Sequence, residues 1–322
     1  MIYLPIFSRQ MWLPGATRST IKFHGGFREW ITEGGWTFNT NLTNKKVEIL
    51  LHTPESYTDA SLNDAIKYGN AAFESARTAK PYSRELRCFA WQFIAYYYSA
   101  YFAANAIMRL SGFGCPNLTA QECSEINQMA LLCHQGGNSD KTKISPGLYY
   151  SSTNSTTVQL RLASGKGGVH IQFWIGFLDY LNKLELFIKA SSLPKNDKAN
   201  ALSELYQLKD GLTHGNTQTG SWLSEVRNSM NYRLQYGAWY PYENCQTNGE
   251  NLLKQLKDGA NGISLLPKPT DSMPDPERAV RISGSLLKWL HSSFSTLESN
   301  SKGKKKQEIS NGSLSIYESI FK

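Results

Sequence analysis

The stretch from Ser83 to Gly112, SRELRCFAWQFIAYYYSAYFAANAIMRLSG, limits the folds open to this chain more than any other. Phe89, Phe93, Tyr97, Tyr101, Ala104 and Met108 recur at helical spacing, and small residues (Ala95, Ser99, Ala100, Ala103) break up the aromatic bulk between them. That pattern predicts a long, mostly buried helix, about 45 Å at 1.5 Å per residue. Ser83 followed by Glu85 and Leu86 starts it, and Gly112 stops it. A membrane span competes, because Cys88 to Ala104 is nearly uncharged. The stretch is short for a span, carries Gln92 and Ser99, and uses tyrosine where a span uses leucine. The reading is therefore a bundle core helix and no membrane.

A second helix falls within Ser221 to Tyr242, SWLSEVRNSMNYRLQYGAWYPY, where Trp222, Leu223, Val226, Met230 and Leu234 mark one apolar face. Asn228 and Tyr232 lie one turn apart on it, and Arg227 is about 100° round from Asn228, so the three can border one patch. Thr217 or Thr219 is the expected cap, and Gly237 the expected stop. Further helices are predicted over Asp59 to Lys80, Thr119 to His134 (with a Thr-x-x-Glu capping box), Val169 to Ala190, Asp197 to Leu212 and Asn244 to Asp258. A last one opens at Asp275-Pro276-Glu277 after the Pro-rich connector Pro267 to Pro276 and runs to about Leu297.

Together, AYYYSAYFAANAIMRLSG and the Arg227-Asn228 helix resemble the HEPN superfamily (higher eukaryotes and prokaryotes nucleotide-binding domains). There, a long alanine- and tyrosine-rich helix packs near one bearing Arg-Asn, three residues, then His. The resemblance covers Asp59 to Tyr236 and is weak outside these two helices. It implies a helical bundle that often dimerises, with the arginine motifs of both copies facing each other. Active members resemble metal-independent ribonucleases in which the ribose 2′-hydroxyl attacks the adjacent phosphate, leaving a cyclic phosphate. Many are toxins or effectors of antiviral defence. The implied partners are RNA and a second copy or a partner protein of a defence system, with no cofactor.

At the family's histidine position, five residues after Arg227, this chain has Tyr232. A phenol with pKa near 10 is ionised to about one part in a thousand at pH 7, so it is a poor general base, though it can donate a hydrogen bond or a proton. Arg227 keeps its value either way, since a guanidinium makes bidentate phosphate contacts and stabilises developing negative charge. Asn228 is the orienting candidate. His214, in DGLTHGN just upstream, is the alternative proton-transfer group. Arg233 beside the motif and Lys166 in GKGGVH are candidate RNA contacts; that glycine-rich run lacks Walker spacing and reads first as a linker into a helix.

Residues 1–57 read as strands and turns: STIKFHG, GGWTFNTN and KKVEILLH. Gly147 to Ser164 alternates about a Ser/Thr/Asn turn, as a β-hairpin inserted between helices would. The expected architecture is mainly α: a HEPN-like helical bundle over 58–265 carrying that hairpin, a small strand-rich N-terminal segment over 1–57, and a connector, helix and basic tail over 266–322. The tail run SKGKKKQ reads as a solvated linker able to add sequence-independent attraction to RNA. The net charge of +8 fits a nucleic-acid partner but is weak alone. Five cysteines without a framework point to a reducing compartment, and the opening residues show no signal peptide, so a cytoplasmic protein is expected. Cys115, Cys123, Cys133 and His134 are spaced too widely for a usual zinc site. His24 and His52 are isolated, and no paired carboxylates stand out for acid–base work.

Overall fold

Two hydrophobic cores form, one among the long helices and one between a sheet face and two shorter helices. The structure is a computed structural model and describes residues 2–17, 22–38, 46–80, 89–133, 143–154, 156–215, 217–262 and 273–321. The chain opens with α1 (Tyr3–Ser8), α2 (Phe27–Glu33), β1 (Trp36–Phe38), β2 (Lys46–Leu51), α3 (Pro54–Ala79) and α4 (Ala90–Leu110). It continues through β3 (Asn117–Leu118), α5 (Ala120–Cys133), β4 (Gly147–Thr153), β5 (Thr157–Leu162), α6 (Val169–Ala190), α7 (Lys195–Leu212) and α8 (Trp222–Asn231). Last come α9 (Gly249–Ala260), α10 (Asp275–Asn300), α11 (Gly303–Gln307), a π-helical segment (Glu308–Leu314) and α12 (Ser315–Phe321). The protein is mainly helical, with one small antiparallel sheet.

The helical core is built on α4, whose Phe93, Tyr96, Tyr97, Ala100, Ala103, Ala104 and Met108 are all buried. Its alanines let α3 and α10 lie close along it. Small residues do the same elsewhere: a Cβ on Gly69 would sit 2.3 Å from the Phe294 ring, and one on Gly284 would sit 2.1 Å from the Leu256 carbonyl oxygen. No described helix is long and apolar enough to cross a membrane. Residues 83–88, where the sequence places the start of α4, lie outside the described residues.

The sheet has the order β1-β2-β5-β4-β3, all antiparallel. The expected hairpin is β4 and β5, and β5 also pairs with β2, with Glu48 opposite Gln159. Strand alternation puts Val47, Ile49, Val158 and Leu160 in the second core with Trp30, Trp36 and Tyr57. Half of the capping box at α5 forms: the Thr119 amide donates to Glu122 Oε2 at 2.7 Å, while the Thr119 hydroxyl donates to the same oxygen rather than accepting from the Glu122 amide.

Several expectations are corrected. STIKFHG makes no strand over its described residues, 22–25, and of GGWTFNTN the described residues contribute Trp36–Phe38, residues 39–41 lying outside the described ones. The described residues of the N-terminal segment instead include the helices α1 and α2. The first amides of α1 donate to Glu204 on α7 (Tyr3 at 3.0 Å, Leu4 at 2.9 Å), a carboxylate at the positive end of a helix. Leu4 and Phe7 thereby join the helical core, while β1 and β2 share a sheet with the hairpin, so the three expected segments interlock. The tail run keeps Lys302, Lys306 and Gln307 exposed, but it forms α11 and is anchored rather than a free linker. Lys305 is buried, its Nζ donates to the Ala16 carbonyl at 2.8 Å, and Ile309 and Ile320 enter the core. Much of the expected Pro-rich connector falls outside the described residues, and α10 begins at Asp275 with Pro276 in its first turn.

Candidate functional site: a tyrosine-enclosed arginine

Helix α8 is shorter than its sequence pattern. Trp222, Leu223, Val226 and Met230 are buried as expected, but the helix ends at Asn231, and Leu234 is exposed with a left-handed φ of 53°. Neither expected threonine caps it: the Thr217 hydroxyl goes to Glu225 at 3.2 Å, and Thr219 pairs with the Ser221 hydroxyl at 3.0 Å. Left-handed backbone recurs at Tyr236, Tyr242 and Asn244, an unusual density for residues other than glycine.

Arg227 is only 9% exposed and lies on the side of α8 that meets α4. Its Nη1 donates to Asn228 Oδ1 at 2.9 Å and its Nη2 to the Tyr98 hydroxyl at 3.1 Å. The guanidinium carbon is 5.8 Å from the Tyr97 ring centroid, 5.9 Å from that of Tyr98 and 5.2 Å from that of Tyr232. No carboxylate among the described residues pairs with it, and its buried Nε has no partner. Of five N–H donors, two are used by the protein. Burial works against this charge, but the Tyr98 hydrogen bond and the surrounding tyrosines outweigh it and hold the pKa above the usual arginine value. The result is an un-neutralised cation beneath the surface, enclosed by aromatic faces.

Tyr98 joins this cluster to the exterior. Its ring lines a groove of about 570 Å³ between α3 and α4, together with Glu74, Ser75, Trp91 and Phe102. Tyr232, the residue at the α8 C-terminus, is 68% exposed and lies over the guanidinium from the solvent side.

The structure brings Arg227, Asn228 and Tyr232 together and leaves the other candidates apart. His214 packs edge-on against Trp222, with ring centroids 5.0 Å apart, and its Nε2 is 3.8 Å from Asp275 Oδ1. Burial and Arg278 lower its pKa, while Asp275 opposes them. No hydrogen bond or ring contact among the described residues joins it to the arginine cluster. Arg233 is exposed, and its backbone amide donates to Asn228 O at 3.3 Å. Lys166 is exposed, and its carbonyl accepts from Gln172 Nε2 at 3.0 Å.

The histidine that reaches the cluster is His170, in the first turn of α6. Its ring lies 5.6 Å from Tyr97 and from Tyr98, and 4.8 Å from Tyr101. Trp174 Nε1 donates to the Tyr97 hydroxyl at 3.2 Å, and that hydroxyl lies 3.0 Å from His170 Nδ1. The Tyr97 hydroxyl thus joins the Trp174 indole to the His170 imidazole, and the tautomer of His170 sets which of the two donates in the Tyr97–His170 bond. Burial, and then the Arg227 charge, push the imidazole down to about 4, so it is neutral at pH 7. Its sequence context, a polar glycine run before a helix, carried no sign of this placement.

Among the described residues no group of three His, Cys, Asp or Glu side chains could hold a metal ion. Cys115 and Cys123 are thiols that burial pushes up to about 12 and about 11. Comparison with protein-family models, with curated proteins and with solved structures gives no match to this chain.

Proposed function

We propose that this is a HEPN-like protein that engages RNA through Arg227, as a metal-independent endoribonuclease of a toxin or antiviral defence system. The observation that carries the reading is a buried arginine with no carboxylate partner among the described residues, beside a groove and next to a histidine. A charge so placed is costly unless something negative meets it. A phosphate would supply that charge, and the same contact would strengthen as charge develops during 2′-hydroxyl attack. In this reading Asn228 and Tyr98 orient the guanidinium. His170, not His214, exchanges the proton, since a phosphate beside Arg227 would raise its pKa toward neutrality. Two copies arranged across the α8 face, as in the family, would bring two such arginines together.

A second reading, an inactive RNA-binding or scaffold subunit, is favoured by Tyr232. It stands where the family has histidine, and its ring covers the guanidinium. Labelled single-stranded RNA incubated with purified protein in EDTA separates the two. Cleavage that survives chelation, leaves cyclic phosphate ends and is lost in Arg227→Ala supports the nuclease. Binding without cleavage, lost in the same variant, supports the subunit. RNA that is neither bound nor cleaved by wild type refutes the nuclease and the RNA-binding subunit alike and leaves only the scaffold.

A further inference from the structure

The sheet has a polar face that the helical site does not use. Register places Lys46 opposite Arg161 and Arg161 opposite Tyr150, with Gln159 opposite Ser152, so these side chains share the face turned away from the second core. Helix α6 rests on one end of it. Gly176 permits the approach, since a Cβ there would lie 2.7 Å from the Tyr150 ring and 2.8 Å from Cys115 Sγ. Asp179, about one turn on, and Lys183, about two turns on, line the gap together with Phe113 and Gly114. The cleft measures about 270 Å³.

Three cations line this cleft, Lys46, Arg161 and Lys183, against one carboxylate, Asp179. Arg161 meets Asp179 at 3.6 Å, with both side chains about 60% exposed, a pair too solvated to neutralise the arginine. Two of the cations are seated on aromatic faces. The Arg161 guanidinium carbon is 5.2 Å from the Tyr150 centroid, and Lys183 Nζ is 4.7 Å from that of Phe113. Glu48, on the same sheet face, accepts from Gln159 at 3.4 Å. Ring-seated cations, with the Ser152 hydroxyl between strands, suit a compact dianion.

We propose that this cleft binds a phosphate monoester of a small molecule, up to the size of a nucleoside monophosphate. Arg161 takes the phosphate in a two-pronged contact and Lys183 neutralises its second charge. The site shares no residue with the Arg227 cluster and stands independently of the ribonuclease reading.

The test is calorimetric titration of the full chain with 5′-AMP, with inorganic phosphate and with potassium chloride at matched ionic strength. Wild type and Arg227→Ala are expected to bind 5′-AMP with Kd below about 1 mM, and inorganic phosphate more weakly. Arg161→Glu and Lys183→Glu, both at exposed side chains and checked for unchanged circular dichroism, are expected to weaken it by at least about tenfold. Absence of binding at millimolar 5′-AMP overturns the proposal, as does affinity indifferent to both reversals. If a 5′-phosphorylated RNA trinucleotide binds with that sensitivity and 5′-AMP does not, the monoester belongs to an RNA end and the small-molecule assignment falls.

Discussion

Replacing Arg227 by methionine should raise the pKa of His170. Both groups lie against the Tyr97 ring, the guanidinium carbon 5.8 Å and the imidazole centroid 5.6 Å from its centroid, so at most 11.4 Å separates them. At an effective dielectric of about 20, unit charges that far apart repel by about 1.5 kcal/mol, or about one pKa unit. Methionine keeps most of the volume, so burial, the larger cause of the depression, persists while the charge is removed. His170 should therefore move from about 4 to about 5 or above. The folded state of wild type binds fewer protons here than the unfolded chain, so His170 costs stability as pH falls from 6.5 toward 4. In the variant that loss should be smaller. A proton-NMR titration of the imidazole Cε1–H, assigned with His170→Gln, reads the shift directly. A pKa that stays within about 0.3 of wild type, or falls, would refute the claim that the two groups face one another across the tyrosines. Phosphate bound at Arg227 should act in the same direction, with uptake of a proton near pH 4 to 5.

Tyr98→Phe should keep the fold and cut RNA cleavage or affinity by about tenfold, the effect of losing about 1.4 kcal/mol of guanidinium positioning; His214→Ala, remote from the cluster, should leave both within twofold of wild type. Gly284→Ala should destabilise by about 2 kcal/mol in urea unfolding, because its Cβ meets the Leu256 carbonyl oxygen at 2.1 Å, overpacking of about 3 kcal/mol offset by about 1 of helix propensity. Burial pushes Lys305 down to about 8, with Asp59 opposing, so the unfolded state binds more protons between pH 8 and 10.5 and the lysine's contribution to stability rises across that window. Lys305→Gln should flatten that part of the stability profile, and an unchanged slope would count against the burial.

Long amphipathic helices were legible because their periodicity outlasts local noise: the pattern over Val169 to Ala190 and the helix observed coincide. The hairpin was legible from alternation about one turn. Short helices were not. The α2 helix has seven residues, started by Gly26, whose amide donates to Glu29 Oε2 at 2.8 Å, too little sequence for a period to register. Leu234 was misplaced because it continues the three-and-four spacing beyond the last helical residue; the left-handed turn that ends α8 has no glycine at that position to announce it. At the site, adjacency in sequence gave Arg227 with Asn228 and helical spacing gave Tyr232. Tyr98 and His170 reach the arginine only through packing of α4 and α6, and distance along the chain hides that.

The pairing of β2 with β5 sets a timetable for synthesis. Glu48 and Gln159 are 111 residues apart, so a ribosome elongating at 5 to 20 residues per second needs roughly 5 to 20 s to make the second strand after the first. Through that interval the nascent β2 has an open edge with no hairpin to pair with it. Nascent chains stalled before β5 should therefore be bound by chaperones far more than chains stalled after it, and a mistimed pause in that span is where aggregation would begin.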